Sequence, residues 1–293
     1  MDRRTFLVSS AAAAALVAAG SPAFAAWKPR RPLNIIVPYN AGGGTDTYAR
    51  AVAAAAQDRW PVPVVVVNKP GAGGMTGAIA AAKARPDGNT ILLHFSGDFL
   101  LRHMFNNTEI GPFNSFQPIA QVGNVKACFA VPAASPIKSM QDLVEAAKAK
   151  PGALRWSHNG RGATFHVASQ TFQNSVGIKA TDVPFKGGAP SRAAIIGEQV
   201  DFGCIGIQQS VGFESKMRVL AILDHDRDPL YPDTPTLAEL GFDVPVLSSP
   251  IILYAPLGVD KNIVKGMEAE LAEIAKAPAF AKLDGSKNPN FCD

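Results

Sequence analysis

The chain has 293 residues, 47% of them hydrophobic, with a formal net charge of +4 and three cysteines. That length and apolar content suit one large domain or two modest lobes with a sizeable core. The mild charge, with no Lys/Arg block, leaves no footprint for a nucleic-acid partner. Three cysteines without a CxxC pair exclude a disulfide framework and a zinc site.

Residues 1–25 read as an export leader and not as part of the fold. Arg3 and Arg4 form a charged start, Leu7 to Ala19 a short apolar run, and Ala23-Phe24-Ala25 a small-x-small cleavage site. The apolar run is shorter than the roughly 20 residues a membrane span needs. Paired arginines followed by Thr5, Phe6 and Leu7 resemble the twin-arginine signal. The expected location is the periplasm, with cleavage near Ala25.

Strand-like and helix-like runs then alternate. Strands are predicted at Leu33–Tyr39, Val62–Asn68 and Thr90–Phe95, with helices at Thr47–Trp60 and Met75–Arg85 between them. A second series follows: strands at Lys126–Val131, Leu154–Ser157, Asp182–Phe185, Asp201–Ile205 and Met217–Leu223. Its helices are Ser139–Lys148, Phe165–Asn174 and Ala189–Ile196; "DVPVLSSPIILYAP" and a helix over Asn262–Ala277 close the pattern. Continuous apolar strands predict burial on both faces, as in a parallel sheet under helices. Short strand-to-helix turns predict βαβ units. Cys128 and Cys204 can pair in an oxidising compartment, but two buried free thiols are the expectation.

The turns carry the functional signal. "VPYNAGGGTD" and "NKPGAGG" each end a strand and open a helix. Glycine lets the backbone take φ > 0 and approach a ligand closely. The first amides of a helix lack intrahelical partners and, with the macrodipole, make an anion site. Nucleotide readings fail: the third glycine of G-x-G-x-x-G would fall at Thr47, Thr76 or Phe165, and no phosphate loop is present. No G-x-S-x-G elbow appears, although Ser96 sits at a strand end with Asp98 close by. Asp46 either caps and ties the first turn or faces the ligand. A third turn, "HNGRGAT", carries Arg161, which either grips a carboxylate bidentately or is a solvated loop arginine. Gly187-Gly188 form a fourth. The five histidines show no ligand spacing, so neither metal nor cofactor is expected.

These motifs resemble the substrate-binding receptors of tripartite tricarboxylate transporters, the Bug-type periplasmic proteins. The resemblance runs from about Pro32 to Leu283 and rests on seven short motifs in order: "VPYNAGGGTDTYAR", "VVVVNKPGAGG", "PDGNTILL", "GRGATFH", "VPFKG", "GEQVD" and "YPDTPTLAELG". It implies a two-lobed α/β type-II periplasmic binding fold, each lobe a central sheet flanked by helices, with ligand in the interlobe cleft. Residues 26–123 would form the first part of lobe 1, 124–223 lobe 2, and 224–293 the return to lobe 1, crossing near Asn124 and Leu223. It implies ligand contacts from the first turn (Tyr39, Ala41, Gly42, Gly43, Thr45, Asp46) and the second (Gly71, Ala72, Gly73, Gly74). From the facing lobe it implies Ser157, Thr164 and Phe185, with Asp201 nearby; Ser96, Asn159 and Arg161 join the candidate set from their own turns and not from the resemblance.

The implied function is capture of a small organic carboxylate by lobe closure, in a monomer, for delivery to membrane permease subunits and without catalysis. The alternatives are an orphan ligand sensor and a periplasmic enzyme acting on a carboxylate or ester. The ligand would be a dicarboxylate, a tricarboxylate, an acidic amino acid or an aromatic acid. Phe185 stands where the family has tyrosine, Asn40 where proline is common, and Arg161 is foreign to its position. The sequence also stops at "GSKNPNFCD", where relatives continue into a further helix, so that helix is either lost or truncated.

Overall fold

The computed structural model describes residues 27–247 and 249–277; the leader, Cys292 and the "GSKNPNFCD" ending lie outside the described residues. In chain order the elements are β1 (Leu33–Val37), α1 (Gly44–Gln57), β2 (Val64–Asn68), α2 (Met75–Ala82), β3 (Thr90–Phe95), α3 (Ser96–Asn106), β4 (Phe116–Asn124), β5 (Ala127–Pro132), α4 (Met140–Ala149) and β6 (Arg155–His158). Then come α5 (Thr164–Ser175), β7 (Thr181–Pro184), α6 (Gly188–Ile196), β8 (Phe202–Gly206), β9 (Met217–Leu223), β10 (Pro250–Pro256) and α7 (Lys261–Ile274). Among the described residues no helix is long and apolar enough to cross a membrane.

β1 is apolar except for the half-buried Asn34, because helices cover both its faces. Its side chains alternate, so Leu33, Ile35 and Val37 join Tyr48 and Val52 of α1 in one core. Ile36, with Leu92 of β3, joins Met75, Ala78, Phe99, Phe116 and Tyr254 in another. α1 buries Tyr48, Ala49, Val52, Ala53 and Ala56, one stripe of an amphipathic helix. Each large aliphatic side chain so buried contributes about 1.5–3 kcal/mol. In the other half Trp156, Phe129, Phe172 and Phe202 are fully buried. Ser139 caps α4 in a reciprocal box with Asp142, as its position before the apolar run predicts.

The two sheets have orders β2-β1-β3-β10-β4 and β7-β6-β8-β5-β9. They are α/β layers, as expected, but mixed and not all-parallel. β10 lies antiparallel between β3 and β4, and β5 antiparallel between β8 and β9. Both start at the connectors between the sheets: Pro250 stands opposite Asn124, and Ala127 opposite Leu223. A strand entering there must run against those that end there. The connectors are joined by a bond from Val125 N to Ser249 O, 3.1 Å. The stretch after β9 stays beside the second sheet: Leu237 N bonds Ile222 O at 2.9 Å, and Phe242 meets Phe172 edge-on at 5.3 Å.

α3 and β4 are absent from the sequence-based expectation. α3 starts directly at the end of β3, with Phe95 as its N-cap and no side-chain cap bond. β4 contains Pro118, which a strand tolerates only at an edge, and β4 is an edge. Cys128 and Cys204 are free and buried; burial, with Cys204 and Asp228 nearby, pushes the Cys128 thiol far up, and burial alone pushes Cys204 up.

Candidate ligand-binding site

The parallel strands of both sheets end at the same cleft, where α/β folds place ligands. In lobe 1 the first turn leads from β1 into α1. Gly42 (φ 76°) donates to Asp46 Oδ2 at 2.8 Å, Arg50 grips the same carboxylate through Nε at 2.8 Å and Nη2 at 3.1 Å, and Asn68 Nδ2 reaches Oδ1 at 2.9 Å. Burial pushes the Asp46 carboxyl up, but the bonds from Arg50, Gly42 and Asn68 outweigh it and hold the group below the usual range. Asp46 therefore ties the turn together. Ala41 and Gly42 are exposed on its outer side.

The start of α1 is the part that faces lobe 2. Its N-cap is Gly43, in extended conformation and without a side-chain cap, so its first amides depend on partners outside the helix. Gly43, Gly44 and Thr45, with Tyr39 and Phe95, form one wall of a small interlobe cavity. Asn159, Phe165, Gly187, Gly188, Gln208 and Gln209 form the other. Its free volume is about 10 Å³, room for a single water. Thr45 Oγ1 and Gln208 Nε2 are buried beside it without hydrogen-bond partners. Gln208 lies so near that a Cβ on Gly44 would sit 2.9 Å from Nε2.

The second turn is built differently. Gly71, Ala72, Gly73 and Gly74 all have positive φ, which glycine alone adopts freely. Their outer space is filled from within the lobe. A Cβ on Gly73 would overlap the Arg102 guanidinium, and one on Gly74 would come within 2.8 Å of His94 Nε2. None of the four lines the cavity. His94 is fully buried and donates from Nδ1 to Phe95 O at 2.8 Å. Burial pushes its pKa down to about 4.

The lobes are bridged by a side chain that the sequence brings up only as a neighbour of Ser96. Asp98, on the first turn of α3, is buried. Its Oδ2 accepts from Tyr39 OH at 2.8 Å and from Asn159 Nδ2 at 2.7 Å, and its Oδ1 from Thr164 N at 2.6 Å. Tyr39 belongs to lobe 1, Asn159 and Thr164 to lobe 2. Burial, then the Asp98 charge and bond, raise the Tyr39 hydroxyl well above its ordinary pKa. Thr164 opens α5, so Asp98 fills that helix N-terminus from the opposite lobe. Phe95 and Phe165 meet edge-on at 6.1 Å across the same boundary.

Several implied residues sit off the cavity. Arg161 is exposed and holds Asp182 through Nε at 2.7 Å and Nη2 at 3.3 Å. Ser157 is buried beneath α6 and accepts from Ser191 Oγ at 2.9 Å. Asp201 accepts from Arg155 N at 2.6 Å, at the end of β6 remote from the cleft. Phe185 packs in the second sheet's own core, and Ser96 is half-buried at the start of α3. His158, His166 and Asp182 cluster within ligating distance of one another. Gly160 N donates to His158 Nδ1 at 3.1 Å and Gly162 N to His166 Nδ1 at 3.3 Å. Each Nε2 then carries the proton, the reverse of the tautomer that binds metal through Nε2. The cluster braces the third turn instead; burial and His166 push His158 down to about 4.

Two sheets of mixed strands around a shared cleft, joined by paired connectors, define a two-lobed solute-binding protein of the periplasmic type. The chain belongs to the tripartite tricarboxylate transporter family receptors, whose profile it matches over residues 48–288. Protein BugT of Bordetella pertussis (strain Tohama I) is 32% identical over 267 residues, covering 89% of this chain and 82% of that one. The structure of periplasmic binding protein BugD is similar with a TM-score of 0.81 at 30% identity, over 87% of this chain and 86% of that chain. MatC from Rhodopseudomonas palustris, solved with bound malate, gives a TM-score of 0.79 at 27% identity, over 87% of this chain and 88% of that chain.

Proposed function

We propose that this protein is a periplasmic receptor that closes around a small organic carboxylate and delivers it to membrane permease subunits. Residues 1–25 export it and are cleaved near Ala25. The observation that carries the reading is the uncapped N-terminus of α1, which faces the buried, unpartnered Gln208 Nε2 across the interlobe cavity. Both present donors, and a carboxylate entering between them gains charge-assisted bonds of about 1.5–3 kcal/mol each. The family and the malate-bound relative support the same ligand class.

Binding begins with the lobes apart, the acid settling on the α1 amides. Rotation about the connectors at Val125 and Ser249 then brings Asn159, Gln208 and the Gly187-Gly188 turn over it. Water leaves, and each remaining polar contact strengthens in the drier site.

Thermal unfolding of the mature protein against a panel of carboxylates and their neutral amides tests this. A ligand at 100 times its Kd adds about 2.7 kcal/mol, which at this size raises Tm by roughly 5–10 °C. A shift with an acid and not with its amide is the expected result. Equal shifts with both, or none across the panel, overturn the carboxylate reading.

A further inference from the structure

Among the described residues Arg102 is the one buried arginine, and it lies at the cleft. It lies on α3, one turn after Asp98, and is 6% exposed. Its Nε and Nη2 are buried without a hydrogen-bond partner. Among the described residues no ion pair within 4.0 Å involves it. The neighbouring Asp98 is committed to Tyr39, Asn159 and Thr164. The guanidinium lies between the lobes: a Cβ on Gly73 of the second turn would overlap it, and one on Gly160 of the third turn would come within 2.8 Å of Nη2.

The protein itself shows what that edge is for. Arg50 holds Asp46, and Arg161 holds Asp182, through the same two atoms, Nε and Nη2. This side of the guanidinium matches a carboxylate bidentately. A buried guanidinium with that edge unpaired is costly to keep, so a binding role explains what a structural one does not. We propose that Arg102 receives a second carboxylate of the ligand, at the opposite end from the α1 N-terminus, and makes the receptor select dicarboxylates. This rests on the carboxylate-receptor reading and deepens it. Arg161, the cation that stands out in the sequence, already has its carboxylate in Asp182.

The test is isothermal titration of the mature protein with straight-chain dicarboxylates of four, five and six carbons, each against its half-amide. Wild type is expected to prefer its best diacid over the half-amide by roughly tenfold or more, the lower end of a charge-assisted bond. Arg102→Gln is expected to bring that ratio to within about twofold of one while leaving half-amide affinity nearly unchanged. Arg102→Lys, which keeps the charge and loses the fork, should give an intermediate ratio, and it decides the matter should the Gln variant not melt cooperatively. The ligand-free Tm of Arg102→Gln is expected to equal or exceed wild type, since an unpaired buried charge is gone.

A diacid preference that survives in Arg102→Gln overturns the inference. So does a lowered Tm with diacid and half-amide affinity lost in parallel, which would make Arg102 a structural brace. Wild type that binds acids but treats diacid and half-amide alike overturns this inference alone. Wild type that binds no acid overturns the receptor reading as well.

Discussion

The two lobes repeat one strand order, yet the helix N-termini they aim at the cleft are filled in opposite ways. β1 leads through a glycine turn into α1, and β6 leads through another into α5. At α5 the anion is internal: Asp98 reaches across from the other lobe and accepts from Thr164 N at 2.6 Å. At α1 the helix starts on an uncapped Gly43, and its neighbours across the cavity are the neutral amides Gln208 and Gln209. A helix N-terminus attracts an anion, but only one that the protein has not already supplied. Under the proposed function, the comparison favours lobe 1 as the seat of the ligand's acid and lobe 2 as the closing jaw. In that proposal closure is partly self-supporting, since the Asp98 bonds to Asn159 and Thr164 cross between the lobes.

The largest expected effect concerns both lobes together. Each buries one neutral histidine near the cleft, His94 in lobe 1 and His158 in lobe 2, with burial pushing each down to about 4. In the unfolded chain both take up protons near pH 6.5. Between pH 6.5 and 4 the unfolded state thus binds more protons, so stability is full at pH 7 and falls as pH drops. At pH 4.5 the loss is roughly 5 kcal/mol for the pair. Urea unfolding at pH 7 and 4.5 checks this, with His94→Asn and His158→Asn each expected to remove about half of the pH difference. A pH-independent midpoint would show that the rings titrate normally in the fold.

Next in size is Asp98→Ala. In the closed form it strips acceptors from Tyr39 OH, Asn159 Nδ2 and Thr164 N, and bonds to a charged acceptor contribute about 1.5–3 kcal/mol apiece. Opening the lobes lets water replace them, so the loss appears mainly as a shift in shape. Small-angle scattering of the ligand-free variant is expected to show a larger radius of gyration than wild type. Unchanged scattering would mean that Asp98 does not hold the lobes together. Asp98→Asn should fall between, because its amide can accept but carries no charge.

Much of this was legible from the order of residues, and the failures have physical causes. Thr90–Phe95 and Met217–Leu223 have the predicted ends, because apolar β-branched runs bounded by turns are a local signal. The glycine turns and the likelihood that Asp46 bonds its own turn are local too. α3 was not legible because it begins on the residue directly after β3, with neither a loop nor a capping side chain to announce it. That omission hid Arg102 and left Asp98 as no more than a neighbour of Ser96; the environment of both is made by Tyr39, Gly73, Asn159 and Gly160 from three other stretches of chain. Arg161 draws attention because it stands between glycines, but Asp182, on β7, takes it up. Antiparallel β5 and β10 follow from the chain crossing between lobes twice, which periodicity along one strand does not encode.

The smallest effect isolates the first turn. Asp46 is held by Arg50, Gly42 and Asn68, and its folded pKa is lowered. Its contribution is therefore present above the ordinary carboxylate pKa and lost as pH falls through the lower folded value. Arg50 is 56% exposed, so the pair is screened by solvent and worth at most about 1 kcal/mol. Asp46→Asn is expected to cost about that much at pH 7, and to lower carboxylate affinity only a few-fold by loosening Gly42. Loss of all binding with a native melting curve would place Asp46 in direct contact with ligand or a bridging water. A few-fold loss leaves it as the brace that holds Gly43 and the α1 amides in register, the lobe 1 counterpart of the His158–Gly160 bond in lobe 2.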